Sequence, residues 1–257
     1  MTEAQLQINE RIRCILDIGE MLLSNGADVN RVEDTTQRLC SAFGFSDCQV
    51  HAINSSIILT LNSADGEVHT QARRIKRIDT DLNKVSELND LSRRICAGNT
   101  DPGSIASEMD RIRKASVYSP FMIYLAYAAG AGFFTLFFGG SKQDVLFSIP
   151  VALILRFFKV RLSRYNDNKI VDNIILSAIC SFLVLGGVKL LPFLHADMIL
   201  IGDIMLLIPG LAFCNSIHDM VMGDTISGVL SLFETILRAL AIAIGYVAIW
   251  ALMGRLL

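Results

Sequence analysis

The sequence predicts an α-helical integral membrane protein of about five transmembrane helices, carrying a small N-terminal α+β cytoplasmic domain. Three observations carry that prediction. Charge is uneven: residues 1–115 hold 14 of the 23 Lys and Arg and 17 of the 25 Asp and Glu, which leaves 9 and 8 for the longer remainder. From residue 116 onward, apolar runs suited to about 30 Å of hydrocarbon alternate with short polar loops. Before residue 115, helical and alternating apolar periods both occur, as expected of helices packed on a short sheet. The domains are therefore read as 1–115 and 116–257.

In the first domain, Leu6, Ile12, Ile15, Leu16, Leu22 and Leu23 recur at helical spacing, so an amphipathic helix runs from about Glu3 to Leu23 and stops near Asn25-Gly26. A second helix is expected from Asn30, whose spacing to Glu33 suits a capping box, and it ends at Gly44. Three strand-like runs follow, at about 48–53, 56–61 and 67–73, and Asp65-Gly66 turns the last two into a hairpin. Leu82, Val85, Leu88, Leu91 and Ile95 mark a third helix closed by Gly98. Asp101-Pro102 opens a fourth.

The membrane domain reads as spans at about 119–138, 143–158, 170–191, 198–213 and 226–252, the second of them short. Arg156, Lys159, Arg161, Arg164 and Lys169 are assigned to one inner loop, whereas the loops around Lys142 and Lys189 carry few cations. The N-terminus is thus expected inside and the C-terminus outside. An odd number of spans inverts any second such unit, and inverted units are a common transporter plan with the site at their interface. No internal repeat is visible here, so the second unit is expected on a separate polypeptide.

Polar residues at membrane depth single out the last two spans. Pro209-Gly210 breaks the fourth, because proline offers no amide to the preceding turn. Asn215, Ser216, His218, Asp219 and Asp224 follow without a Lys or Arg and read as an inner loop, with Asn215 and Asp219 four apart on one face of any helical turn. Asp203 is a further acid inside the fourth span. On the fifth, Asp224, Ser227, Ser231, Glu234 and Arg238 share a face, and Glu234 and Arg238 are expected to pair. An unpaired charge near mid-bilayer costs on the order of 3 kcal/mol or more.

The run P-G-L-A-F-C-N-S-I-H-D-M-V-M-G-D-T-I-S-G resembles the signature of the threonine/serine exporter family, matched by Pro209, Gly210, Asn215, Asp219, Gly223 and Gly228. G-A-D-V-N-R-V-E is similar to that family's second motif, matched by Gly26, Ala27, Arg31, Val32 and Glu33. Glu234 also falls where many members have an acid. The resemblance implies a bacterial inner-membrane exporter of threonine, serine or another small carboxylate, such as the dicarboxylate succinate. Fused members have about ten spans, and this chain matches the first half, which implies a smaller membrane partner of about 150 residues. Many members place arginine where this chain has His218 and Ser231, so the motif does not assign the substrate.

A proton-driven secondary exporter is the expected function, and the chain is not expected to be an enzyme. No Walker motif is present. His51 and His69 lie on strands without a partnered nucleophile or ligand set, and the six cysteines show no metal or disulfide spacing, so no cofactor or metal is expected. A net charge of −2 gives no reason to expect nucleic acid, and Arg73, Arg74, Lys76 and Arg77 form only a short basic cluster suited to a solvated rim or lipid headgroups. The polar, acidic N-terminus predicts no signal peptide. A membrane-anchored sensor or scaffold is the rival reading.

Overall fold

The computed structural model describes residues 3–63, 66–76, 79–115, 118–165 and 168–253. The chain divides into two compact units, one of Met1–Val117 with Cys214–Ser231, the other of Tyr118–Phe213 with Leu232–Leu257.

In the first unit, α1 (Glu3–Ser24), α2 (Val29–Ala42), α3 (Leu82–Cys96) and α4 (Pro102–Lys114) pack on a sheet of β1 (Ser46–Ile53), β2 (Ser56–Asn62) and β3 (Val68–Arg74). The sheet is antiparallel in the order β1-β2-β3, with Ile57 opposite Arg73 and Ala52. β2 alternates as a half-buried strand should: Ile57, Leu59 and Leu61 point into the core, where they meet Ile15, Leu22, Leu39 and Leu88. The helix ends follow their sequence signals. Gly26 has φ +88° and Gly98 φ +110°, and Asp101 caps α4 by accepting from Ser104 N at 2.8 Å.

The start of α2 departs from expectation. Its N-cap is Asp28, without a side-chain cap bond, so the Asn30–Glu33 capping box is not formed. Glu33 instead accepts from the backbone amide of Ala52 at 2.6 Å, because a donor at the end of β1 competes with the helix's own amides. Arg73, read as a rim cation, bridges Asp17 at 2.5 Å and Glu20 at 3.4 Å on α1. Asp65 of the hairpin turn and Arg77 of the basic cluster lie outside the described residues.

The second unit is helical. α5 (Pro120–Phe137), α6 (Lys142–Leu162), α7 (Lys169–Leu190) and α8 (Ala196–Ile204) pack together around Leu155, Leu176, Cys180 and Ile199. The helix α9 (Gly210–Val221) and the long α10 (Thr225–Met253) each contribute residues to both units. Among the described residues, three helices, α5, α7 and α10, are long and apolar enough to cross a membrane. α6 has the length, but Lys142, Asp144, Arg156, Lys159 and Arg161 interrupt its apolar composition.

Two segments read as loops are helical. Arg156, Lys159 and Arg161 belong to the last turns of α6, where Lys159 donates to the Tyr127 hydroxyl at 3.0 Å and Arg156 lies 5.3 Å from the same ring's centre. Residues 214–221, expected as an inner loop, continue α9; Asn215, Ser216 and Asp219 fall on one face and leave the backbone free to form the helix. The expected fourth span is correspondingly two helices, with a break between Ile204 and Gly210.

Candidate functional site

Proline is tolerated at a helix start, and Pro209 immediately precedes α9 and accepts from Phe213 N at 3.1 Å. Along that helix, Ser216 is fully buried and Asp219 is 7% exposed, while His218 and Ile217 face outward and Asn215 is half-buried. The three- and four-residue steps place Asn215, Ser216 and Asp219 together. Burial raises the Asp219 carboxyl above the ordinary carboxylate range, and the charges of Asp28 and Asp224 add to the effect while His218 partly offsets it.

Asp28 is the N-cap residue of α2 and lies inside the G-A-D-V-N-R-V-E motif. An acid of one sequence motif thus acts electrostatically on an acid of the other within the first unit. The turn after α9 explains two of the matched glycines. Gly223 has φ +102°, and a Cβ on Gly228 would stand 2.7 Å from the Ser216 carbonyl, so only glycine lets the start of α10 lie against α9. Asn54, at the β1–β2 turn, completes this arrangement by hydrogen bonding to the Ser231 hydroxyl and, at 3.4 Å, to the Ser227 carbonyl.

In the second unit, Glu234 and Arg238 form the expected pair one turn apart on α10, with Arg238 18% and Glu234 57% exposed. Asp203 is fully buried on α8, and neither carboxylate oxygen has a hydrogen-bond partner among the described residues. The hydroxyl of Thr135 on α5 is buried and unpartnered as well. The seam between these helices is close: a Cβ on Gly202 would stand 2.8 Å from the Thr135 amide nitrogen. Ser148, Ser177 and Ser181 are also fully buried in this unit.

The structure therefore brings Asn215, Asp219 and Asp224 together in the first unit, whereas Asp203, Pro209, Gly210, Glu234 and Arg238 belong to the second. Of the N-terminal motif, Gly26 occupies a left-handed turn, a Cβ there would stand 3.1 Å from the Asp79 carbonyl, and Glu33 holds the end of β1. Arg31 is exposed on α2.

Three residues escaped the sequence reading. Asp28 and Asn54 gave no periodic signal, since each works through a distant segment. Asp144 did give one, in S-K-Q-D: its carboxylate caps α6 by accepting from Ser141 N at 2.7 Å and also accepts from His195 N at 2.8 Å. Among the described residues, no set of three or more His, Cys, Asp or Glu is placed to hold a metal ion.

The family model that matches this chain is that of threonine/serine exporters, over residues 13–253. The chain is 24% identical, over 248 residues, to a probable threonine/serine exporter of Mycobacterium tuberculosis, covering 91% of this chain and 45% of that protein. It is 23% identical, over 231 residues, to a threonine/serine exporter of Corynebacterium glutamicum, covering 86% and 46%. It thus spans about half the length of the curated relatives it matches. No solved structure matches.

Proposed function

The chain belongs to the threonine/serine exporter family, and on that premise we propose that it is one half of a secondary exporter of small amino acids, with a second membrane unit supplying the other half. The observation that carries this reading is the interruption between α8 and α9, followed by a helix that buries Ser216 and Asp219. Broken helices with polar residues are what a solute-binding site in a membrane requires, since irregular backbone is tolerated there only against protein or a water-filled cavity.

In this account α5, α6, α7, the broken segment 198–213 and α10 are five crossings of a bacterial inner membrane, with the N-terminus inside and the C-terminus outside, and the rest of α9 lies beyond the crossing. The complementary half is a smaller membrane subunit of about 150 residues, inverted relative to this one. The half-length match to the relatives supports the two-part arrangement. So does α10, on which Glu234 stays 57% exposed amid an apolar helix and needs a covering surface. Pro209-Gly210 is the break, Asn215 and Asp219 line the inner mouth, and Asp219 or Glu234 exchanges the driving proton. The raised Asp219 carboxyl supports a proton-exchanging role.

The substrate follows from charge. The charges of Asp28 and Asp224 both act on Asp219 in the first unit. They favour a solute with an ammonium group, such as threonine or serine, over a dicarboxylate such as succinate. The reading is of a transporter rather than an enzyme.

The test is export of labelled threonine, with labelled succinate in parallel, from cells making this chain and its complementary half. Threonine export that collapses in Asp219→Asn and Glu234→Gln, at unchanged protein level, supports the assignment. Full activity in both variants would sink it, and succinate export alone would reverse the substrate. A sensor with incidental spans is separated by deleting residues 1–115, which leaves some flux only in a transporter.

A further inference from the structure

Helices α2 and α3 pack through their apolar sides, with Val32 and Leu39 in the same core as Val85, Leu88 and Ile95. Each also carries a second, polar stripe at helical spacing. On α2 it is Arg31, Asp34, Thr35 and Arg38; on α3 it is Asn89, Ser92, Arg93 and Cys96. The two stripes line a single cleft of about 360 Å³, which is the size of site that takes a small metabolite.

The charge of this cleft is one-sided. Arg38 spends itself on Asp34, donating from Nε at 3.0 Å and pairing through a second nitrogen at 3.0 Å. Arg31 and Arg93 have no ion pair or side-chain hydrogen bond among the described residues, so two uncompensated guanidinium groups line the same concavity. Under them lie hydroxyls: Thr35 and Ser92 are both nearly buried, and Ser92 donates to the Asn89 carbonyl at 2.8 Å. Guanidinium forks match the paired oxygens of a carboxylate or phosphate, and the Thr35 hydroxyl beneath them can donate to a second anionic group. Solvated surface arginines need no such floor.

We propose that the α2–α3 cleft binds a small dianion, a dicarboxylate or a phosphate monoester, in the soluble part of the chain. The site is separate from the proposed export pathway, and its ligand is of opposite charge preference. Arg31 lies one turn along α2 from Asp28, whose charge acts on Asp219. An anion held at Arg31 therefore alters the field at the α2 end from which Asp28 acts on that acid.

Cys96 is an exposed thiol in the cleft, and Cys214, also exposed, is outside it. The full chain in detergent is alkylated at fixed pH and ionic strength, and modification of each cysteine is followed by mass spectrometry. Succinate and orthophosphate are the probes, each alone, with threonine as the zwitterionic control. The expected result is saturable slowing at Cys96 by at least one of the dianions, with Cys214 and the threonine control unchanged. Arg31→Gln or Arg93→Gln raises the half-protecting concentration about tenfold or more, whereas Arg113→Gln, outside the cleft, leaves it unchanged. Three results overturn the proposal: no slowing at Cys96 by either dianion at millimolar concentration, slowing at Cys214 alone, or equal weakening in Arg113→Gln. No flux is measured, so the outcome is independent of the exporter assignment.

Discussion

In the part of the chain before residue 118, the side chains with no solvent exposure are hydrocarbon almost throughout, Ile15, Leu22, Leu59 and Leu88 among them, with Thr36 the main exception. Its charged groups pair at the rim, as Arg73 does with Asp17 and Arg94 with Glu108. In the helical unit apolar residues such as Leu155, Val184 and Ile199 are buried as deeply, but polar ones share the interior with them. Thr135, Asp144, Ser148, Ser177, Ser181 and Asp203 are fully buried, while Phe133, Phe137 and Leu146 stand in the open. The first pattern is what water selects. The second is what hydrocarbon selects when the interior must carry something polar, because acids at depth turn toward the protein or toward water.

The largest effect that would break this contrast is in the first unit. Leu88→Ala leaves a cavity in a closed apolar core and is expected to cost about 2 to 5 kcal/mol, read from chemical unfolding of the detergent-solubilised chain by circular dichroism. A smaller loss would mean that the core relaxes as a membrane bundle can. Next comes Gly202→Ala, whose added methyl would meet the Thr135 backbone at 2.8 Å and is expected to cost about 1 to 3 kcal/mol. Gly44→Ala is its counterpart: open space surrounds it and only φ +82° opposes the change, so about 1 kcal/mol is expected. Equal losses would indicate a loose α5–α8 seam.

The two buried acids sharpen the comparison within the second unit. Asp144→Asn removes a helix cap and a charged acceptor for His195, and should lower stability by about 1 to 2 kcal/mol. Asp203→Asn removes a carboxylate that has no partner. It should leave stability unchanged or raised, since burying an unpaired charge is unfavourable, yet reduce threonine export. Loss of stability in Asp203→Asn would mean that its carboxylate is structural. The smallest effect is Thr70→Ala on the open face of the sheet, where Thr70 meets Thr60 at 3.0 Å; about 0.2 to 1 kcal/mol is expected from the lost cross-strand pair.

Local chemistry explains which of these features the sequence disclosed. The β2–β3 hairpin, the α4 cap at Asp101 and the break at Pro209-Gly210 rest on residues within a few positions of one another, and each is found where the pattern placed it. The Glu234–Arg238 pair is legible for the same reason. Glu33 was misread because its partner, Ala52, belongs to another element. Asn54 and Asp28 work across the fold, so no spacing announces them. Residues 214–221 form a helix despite their polarity, and Asn215, Ser216 and Asp219 already keep helical steps in the sequence. The stripe Arg31, Asp34, Thr35, Arg38 was equally regular, but its counterpart on α3 is visible only once the helices are packed.

The central claim is that this chain is one half of an export pathway. Its most direct test is the rate at which labelled threonine leaves loaded cells that make this chain alone, the complementary membrane half alone, or both. The account predicts efflux above background only when both are present, and its loss when the proton gradient is dissipated. Equal efflux from cells making this chain alone, or none with both halves present at normal levels in the membrane, would contradict it.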